Sequence, residues 1–258
     1  MNIIGIIPAR MASTRFPGKP LAEICGIPMI GHVYFRSKMN GSLKDVYIAT
    51  CDREIENYCL KNNIKVIMTK NTHERASDRA AEAMLKIEKL TGKKIDIVVM
   101  IQGDEPMFDP GMIDLALEPM LKDAAILITN LMSELKSKEE QDDVNTVKVV
   151  VDKDNCALYF SREPIPSSMK AKEDVARYKQ VPIIPFRRDF LITFNELQPR
   201  PLEITESVDM LRLLEHGYKV KMVLSEFDTY SVDTPADLKR VEALMKNDTL
   251  LLQYSVKK

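Results

Sequence analysis

Cysteine, histidine and tryptophan are scarce in this chain. Its 258 residues contain four cysteines, three histidines and no tryptophan. The cysteines, at positions 25, 51, 59 and 156, show no CxxC spacing, and the histidines, at positions 32, 73 and 216, are widely separated. This pattern argues against a zinc site and favours reduced thiols, so we expect a protein of a reducing compartment, the cytoplasm.

Long apolar runs and a strong net charge are also missing. No apolar stretch approaches the roughly 18 residues that span a bilayer, and the short apolar N-terminus precedes the first basic residues, unlike a signal peptide. The formal net charge is −1, which argues against bulk nucleic-acid binding but allows a local basic site. We therefore expect neither a membrane nor a nucleic acid as a partner.

Hydrophobic residues make up 45% of the chain, and their spacing predicts alternating strands and helices over the first 130 residues. The predicted strands are 2–7 (ended by Pro8), 45–50, 65–68, 96–101 and 125–131. The predicted helices are 28–39, 53–61, 76–90 and 109–121. Such alternation is typical of a mostly parallel sheet that helices cover on both faces.

The middle of the chain has a different pattern. Residues 133–145 are polar and predict a loop or short helix, and the strands expected at 147–151, 157–160 and 180–186 suggest a mixed or antiparallel extension. A helix at 202–215, a strand at 219–224 and a helix at 235–245 follow. Because no linker is visible, we expect one domain over residues 1–250, including an extension at about 133–200, and a tail at 251–258.

The segment IIPARMASTRFPGKPL, residues 6–21, puts three cations and two hydroxyls directly after the first predicted strand. Ligands of open parallel sheets bind beyond the carboxyl ends of the strands. Arg10, Arg15 and Lys19 could therefore hold phosphate oxygens, with Ser13 in the same loop. The loop is not a Walker A motif, because Pro20 replaces the residue that would hold magnesium. The alternative is a solvated basic loop.

Two further segments offer carboxylates. QGDEP, residues 102–106, follows the most apolar strand, and SVDTPAD, residues 231–237, precedes the last predicted helix. Mg²⁺ prefers a few carboxylate oxygens together with substrate phosphates, so Asp104 and Asp233 could share a metal ion. The alternatives are a polar turn for the first segment and an ordinary helix start for the second.

A fourth candidate is RASDR, residues 75–79, at the start of a predicted helix. A helix N-terminus with a hydroxyl and two arginines can bind an anion. The alternative is that Ser77 caps the helix while Arg75 and Arg79 are surface charges.

Taken together, these segments resemble the CMP-Kdo synthetases, the 3-deoxy-manno-octulosonate cytidylyltransferases. The opening loop and QGDEP are similar to that family's motifs, as are NTVKVVVDKDNCALYFSREPIP, PLEITESVDMLR and YSVDTPADLKRV, in the same order. The resemblance implies an α/β, Rossmann-like nucleotidyltransferase fold with a small extension that pairs two subunits. It implies the reaction of CTP with Kdo to give CMP-Kdo and diphosphate, with Mg²⁺.

The resemblance also implies roles for individual residues. The catalytic group would be Arg10, Lys19 and Asp104, and the metal ligands Asp104 and Asp233. Nucleotide binding would involve Pro8, Ala9, Arg10, Ser13, Arg15, Lys19, Ser77, Arg79 and Gln102. The residues toward the acceptor would be Arg75, Arg162, Gln180, Gln198, Glu203 and Glu206.

The chain departs from the family pattern mainly on the acceptor side. Arg75 stands where the family usually has serine, and Gln180 where it usually has histidine. An added cation would suit an extra negative charge, so 8-amino-Kdo or a phosphonate is an alternative acceptor. A regulatory domain that binds nucleotide without turnover is an alternative of another class, against which the joint presence of Arg10, Lys19, Asp104 and Asp233 counts.

Overall fold

A computed structural model describes residues 1–12, 16–170 and 175–255 of the chain. The chain forms two compact units, the first made of Met1–Asp114 and Thr229–Lys258 and the second of Leu115–Asp228. No helix in the described part of the chain is both long and apolar enough to cross a membrane. The expectation of one domain over residues 1–250 stays a prediction.

Within the described residues the strands are β1 (Ile3–Ala9), β2 (Glu23–Ile24), β3 (Ile27–Pro28), β4 (Asp45–Thr50), β5 (Val66–Met68), β6 (Ile97–Ile101), β7 (Thr129–Glu134), β8 (Lys148–Val151), β9 (Ala157–Ser161), β10 (Tyr178–Val181), β11 (Ile183–Arg187) and β12 (Lys221–Leu224). The helices are α1 (Met29–Met39), α2 (Arg53–Lys61), α3 (Ala76–Thr91), α4 (Gly111–Lys122), α5 (Lys138–Asp142), α6 (Arg188–Glu196), α7 (Pro201–Glu206), α8 (Met210–Glu215), α9 (Pro235–Met245) and α10 (Thr249–Ser255). A single 3-10 turn covers Lys19–Leu21 in the same described part.

The first unit is built on parallel strands in the order β6-β1-β4-β5. All five residues of β6 are buried, as its continuous apolar sequence requires in a sheet that is covered on both faces. Helices α1, α2 and α3 pack on these strands. Because parallel strands end at the same edge, the loops that follow β1, β4 and β6 come together there.

Strand β1 continues through Pro8 to Ala9, whereas the sequence suggests that Pro8 ends it. Pro8 and Ala9 pair with Ala49 and Thr50 of β4, while the pairing with β6 ends at Ile6. A proline is tolerated there because one of its two neighbouring strands has already ended.

The second unit contains a sheet in the order β12-β7-β10-β8-β9. Only β12 and β7 are parallel among these described strands, and the other pairs are antiparallel, which confirms the expected mixed architecture. The strand expected at 180–186 is instead two strands, β10 and β11, on either side of Pro182. Proline lacks the N–H group that a continuous ladder would need.

Two other segments of the chain differ in secondary structure from what the sequence patterns suggest. The helix expected at 202–215 is two helices, because Ser207 has φ +53° and this left-handed conformation ends α7. Residues 251–255, expected in a tail, belong to helix α10.

Helix α10 completes an apolar cluster of the first unit, in which Leu251 packs with Ile24, Met29, Val232, Val241 and Met245. Phe16 and Met107 contact the same cluster. These two residues lie near Lys19 and Asp104 in the sequence, so the C-terminal segment supports both loops from behind.

Candidate active site

A cavity of about 340 Å³ lies at the carboxyl ends of the strands of the first unit. Its walls come from the loop after β1, the start of α1, residues 73–79 and the loop after β6. Eight residues predicted for the site line it: Pro8, Ala9, Arg10, Lys19, Arg75, Arg79, Gln102 and Asp104. The tertiary structure therefore brings together three segments that the sequence identifies separately.

Lys19 enters the cavity because the preceding loop closes on itself. Gly18 has φ +75°, a conformation that favours glycine, and its N–H donates to the carbonyl of Met11 over 3.3 Å. The 3-10 turn that follows presents the side chain of Lys19, which is only 15% exposed. The predicted residues Ser13 and Arg15, between the two ends of this closure, lie outside the described residues.

The ammonium of Lys19 lies between the two predicted metal ligands. Its Nζ donates to the Val232 carbonyl over 2.8 Å, and lies 3.3 Å from Asp233 Oδ1 and 3.7 Å from Asp104 Oδ2. The carboxylates of Asp104 and Asp233, far apart in sequence, are thus neighbours on one cation.

Backbone contacts hold the two acidic segments together. The N–H of Val232 donates to the carbonyl of Asp104 over 2.9 Å, and the N–H of Tyr230 donates to Glu105 Oε2 over 2.9 Å. Helix α9 is capped by Thr234, which forms a capping box with Asp237. The segment is thus a helix start, as the alternative expects, and the carboxylate of Asp233, the residue before the cap, also lies beside Lys19. Its metal role stays a prediction.

Gly103 lies where the loop after β6 passes over α1. A Cβ atom added at Gly103 would come within 3.0 Å of Cδ1 of Ile30 and 4.0 Å of the carbonyl oxygen of Pro8. A side chain here would require the tip of Ile30 to shift by a few tenths of an ångström, so the glycine permits the close packing of this loop on α1.

The cavity wall at residues 73–79 does not agree with the alternative in which Ser77 caps the helix and the arginines are surface charges. Arg75 is the N-cap of α3 and its side chain makes no capping hydrogen bond, so Ser77, inside the helix and fully buried, is not the cap. Arg79 is 3% exposed, and its Nη1 donates to Thr69 Oγ1 over 2.5 Å and to the carbonyl of Lys70 over 3.3 Å. Arg79 is therefore a fixed part of the cavity wall and not a surface charge.

Three residues of this region, Asp52, His73 and Glu82, are not among the predicted site residues. Asp52, after β4, accepts a hydrogen bond from the N–H of Met11 over 2.7 Å and so holds the loop after β1. His73 lines the cavity and contacts Glu82 of α3. Asp52 could have been found from the sequence, because it follows the end of a predicted strand. No sequence pattern indicates the contact between His73 and Glu82.

The predicted acceptor residues other than Arg75 belong to the second unit. The side chain of Arg162 donates to the carbonyls of Glu206, Val144 and Ser207. The carboxylate of Glu206 accepts from Tyr159, from Ser161 and from the N–H of Arg162. These contacts tie β9 to α7.

The other three predicted acceptor residues, Gln180, Gln198 and Glu203, each contact a different residue. Gln180 Nε2 donates to Asn130 Oδ1 over 2.6 Å, and the carbonyl of Gln198 is 3.0 Å from His216 Nε2. Glu203 is fully buried, and Arg212 donates to both of its oxygens, over 2.6 and 2.7 Å. The charge of Glu203 is thus compensated inside the fold, and the acceptor role of all five residues stays a prediction.

Comparisons with known proteins place these features in a family. The family model for cytidylyltransferases matches residues 4–223. The chain is 42% identical to the 3-deoxy-manno-octulosonate cytidylyltransferase of Geobacter metallireducens, over 93% of this chain and 96% of that protein. It is 39% identical to the enzyme of the same name from Geotalea uraniireducens, over 95% and 100% of the two chains.

A solved structure agrees with these matches. The structure of CMP:2-keto-3-deoxy-manno-octonic acid synthetase complexed with CTP has a TM-score of 0.86 and 38% identity to this chain. The match covers 95% of this chain and 99% of that one.

Proposed function

Because this chain belongs to the family of 3-deoxy-manno-octulosonate cytidylyltransferases, we propose that it transfers CMP from CTP to 3-deoxy-manno-octulosonate (Kdo) and releases diphosphate. The single observation that carries this proposal is the meeting of Lys19, Asp104 and Asp233 at the cavity that Arg10 also lines. Cations beside paired carboxylates are what a metal-bound triphosphate requires.

In the proposed reaction the anomeric hydroxyl of Kdo attacks the α-phosphorus of CTP. A new P–O bond forms, the bond from the α-phosphorus to the bridging oxygen of the diphosphate breaks, and the hydroxyl proton is released to solvent. Negative charge grows on the departing diphosphate, and Arg10 and Lys19 stabilise it by electrostatic attraction. Because little covalent chemistry is asked of the protein, most of the catalysis is positioning.

The carboxylates of Asp104 and Asp233 fit a Mg²⁺ ion that is bound jointly with substrate phosphates better than a metal ion that is bound by protein side chains alone. The described residues contain no group of three or more His, Cys, Asp or Glu side chains that could bind a metal. Asp104 and Asp233 both lie beside the Lys19 ammonium, and we propose that Mg²⁺ bound together with substrate phosphates would contact both carboxylates. Mg²⁺ is commonly held by one or two carboxylates plus substrate phosphates, and when bound it would neutralise phosphate charge.

We propose Arg75, in the cavity of the first unit, as an acceptor-binding residue. The second-unit residues Arg162, Gln180, Gln198, Glu203 and Glu206 stay predictions from the sequence alone. Arg75 lines the cavity and can meet a carboxylate through its planar guanidinium. We also propose that the enzyme is a homodimer, for which light scattering in solution would measure a dimeric mass. We further propose that it acts in the cytoplasm, in keeping with its free thiols.

The test is diphosphate release from CTP and Mg²⁺ with Kdo, 8-amino-Kdo and small phosphonates as separate acceptors. We expect release with Kdo. Release with a phosphonate or the amino sugar alone would refute the acceptor, and no release with any of them would refute turnover.

Asp104→Asn tests the metal role, because it keeps the shape of the side chain and removes its charge. We expect diphosphate release to fall about 10²- to 10³-fold, a typical loss for one electrostatic partner of a transition state. Glu118→Gln, on an exposed face of α4, is the matched control and should keep full activity. Equal activity of the Asp104 variant and this control would rule out the role.

A further inference from the structure

His73 and Glu82 form a pair at the wall of the cavity. The ring Nε2 of His73 contacts Glu82 Oε2 in a short hydrogen bond, and His73 itself lines the cavity. The two side chains are only 19% and 17% exposed. Neither residue takes part in the chemistry described above.

Three groups fix the Glu82 carboxylate. Besides His73, its Oε2 accepts from the N–H of Lys70 over 3.0 Å, and its Oε1 pairs with Lys86 over 2.8 Å. Burial raises the pKa of Glu82, but the hydrogen bonds from Lys86, Lys70 and His73 together outweigh burial and lower the pKa to about 2. Glu82 is therefore an ionised acceptor at neutral pH.

The ionised carboxylate of Glu82 determines which ring nitrogen of His73 carries the hydrogen. Because a carboxylate can only accept, Nε2 must carry the hydrogen and donate it to Glu82. The other ring nitrogen, Nδ1, makes no hydrogen bond to any residue within the described ranges, and in the neutral ring it is an acceptor. A histidine whose second nitrogen is held by a carboxylate has a fixed ring orientation, as ligand-binding histidines often do.

We propose that His73 is a further substrate-contacting residue of this cavity, that it binds the nucleoside part of CTP through Nδ1, and that Glu82 is its positioning residue. This rests on the proposed function only in that CTP is the nucleotide.

The choice of the nucleotide over the acceptor follows from the cavity's lining. His73 shares the cavity with six of the residues predicted for the nucleotide: Pro8, Ala9, Arg10, Lys19, Arg79 and Gln102. Of the predicted acceptor residues, only Arg75 lines this cavity within the described parts of the chain.

The choice of the nucleoside over the phosphates follows from charge. The cations and carboxylates suited to a metal-bound triphosphate meet around Lys19. His73 instead has the negative charge of Glu82 directly behind it, and Glu74 lines the cavity beside it. These two carboxylates repel phosphate, which Arg75 and Arg79 of the same cavity offset only in part, whereas an Nδ1 atom that carries no hydrogen can accept from an amino or hydroxyl group of the base or ribose.

The test is the binding of CTP and of inorganic triphosphate, each with Mg²⁺ and without acceptor, to the wild type and four variants by calorimetry. His73→Phe keeps the ring and removes both nitrogens, so we expect CTP to bind about tenfold more weakly, the effect of one lost hydrogen bond. Inorganic triphosphate should bind within about twofold of wild type, as expected for a group that makes no phosphate contact. His73→Asn keeps a polar group near the position of Nδ1 and should recover part of the CTP affinity.

Glu82→Gln should weaken CTP binding less than His73→Phe, since the amide oxygen can still accept from Nε2. Glu118→Gln is the matched control. It breaks an exposed pair with Lys122 that has the same four-residue spacing as the pair of Glu82 with Lys86. Equal weakening of both ligands in His73→Phe would mean a general collapse of the wall, and unchanged CTP affinity would remove His73 from the site. Either result overturns the proposal. Because no acceptor is present, failure of Kdo as a substrate would leave this result unaffected.

Discussion

Replacing Lys19 by methionine tests the centre of the site, because this one ammonium pairs with two carboxylates. Its Nζ lies 3.3 Å from Asp233 and 3.7 Å from Asp104, and donates to the Val232 carbonyl over 2.8 Å. Methionine has a similar length and no charge. The substitution therefore leaves two neighbouring carboxylates without their common cation, and one carbonyl without a donor.

The magnitude follows from these distances. At an effective dielectric constant of about 20, each ion pair is worth about 4 kcal/mol before desolvation is counted. The three side chains are 15–26% exposed, so solvent screening and the recovered hydration of the two carboxylates offset much of this. We expect a net loss of about 2 kcal/mol in the free energy of unfolding, which lowers the melting temperature by about 4–8 °C.

Two measurements check the reasoning. Thermal melts without metal should show the loss of stability, and added Mg²⁺ should raise the melting temperature of Lys19→Met more than that of wild type, because the metal no longer competes with the ammonium. Diphosphate release should fall about 10²- to 10³-fold even with Mg²⁺, since the metal replaces the charge at the carboxylates but not at the phosphates. Lys19→Arg is the control that retains the charge.

Some outcomes would refute this reasoning. If Lys19→Met melts at the wild-type temperature and Mg²⁺ affects both proteins equally, the ammonium does not neutralise the carboxylates in solution. If its diphosphate release is unchanged, Lys19 has no role at the phosphates.

Two further predictions concern stability. Burial lowers the pKa of His32 to about 4, so between pH 6.5 and 4 only the unfolded chain binds the proton, and stability falls as the pH falls. Urea unfolding should show a loss of about 2 kcal/mol from pH 7 to pH 5, which His32→Gln should remove; an equal slope in both proteins would contradict the assignment. Glu203→Gln leaves the buried guanidinium of Arg212 without its counter-charge and should cost about 3 kcal/mol in the same assay. A cost below about 1 kcal/mol would show that the pair is not holding α7 to α8.

Much of the first unit could be predicted from local patterns. Helices α2 and α9 and strand β4 begin and end at the expected residues, since their apolar spacing and end residues agree. The division of 202–215 into two helices could not, because a serine in the left-handed conformation is decided by the packing of its neighbours and not by its own preference. Helix α10 was missed because its stability comes from burying Leu251 in a cluster of distant residues.

The candidate site divides in the same way. Arg10, Lys19 and Asp104 were recognisable because each follows a strand end, where a parallel sheet binds its ligands. The sequence by itself therefore determined the alternating fold and the kinds of groups at its edge, which are local properties of spacing and side-chain chemistry. Only the tertiary structure decided that Asp104 and Asp233 share the Lys19 ammonium and that Glu82 contacts His73, because such contacts depend on how separate segments pack in space.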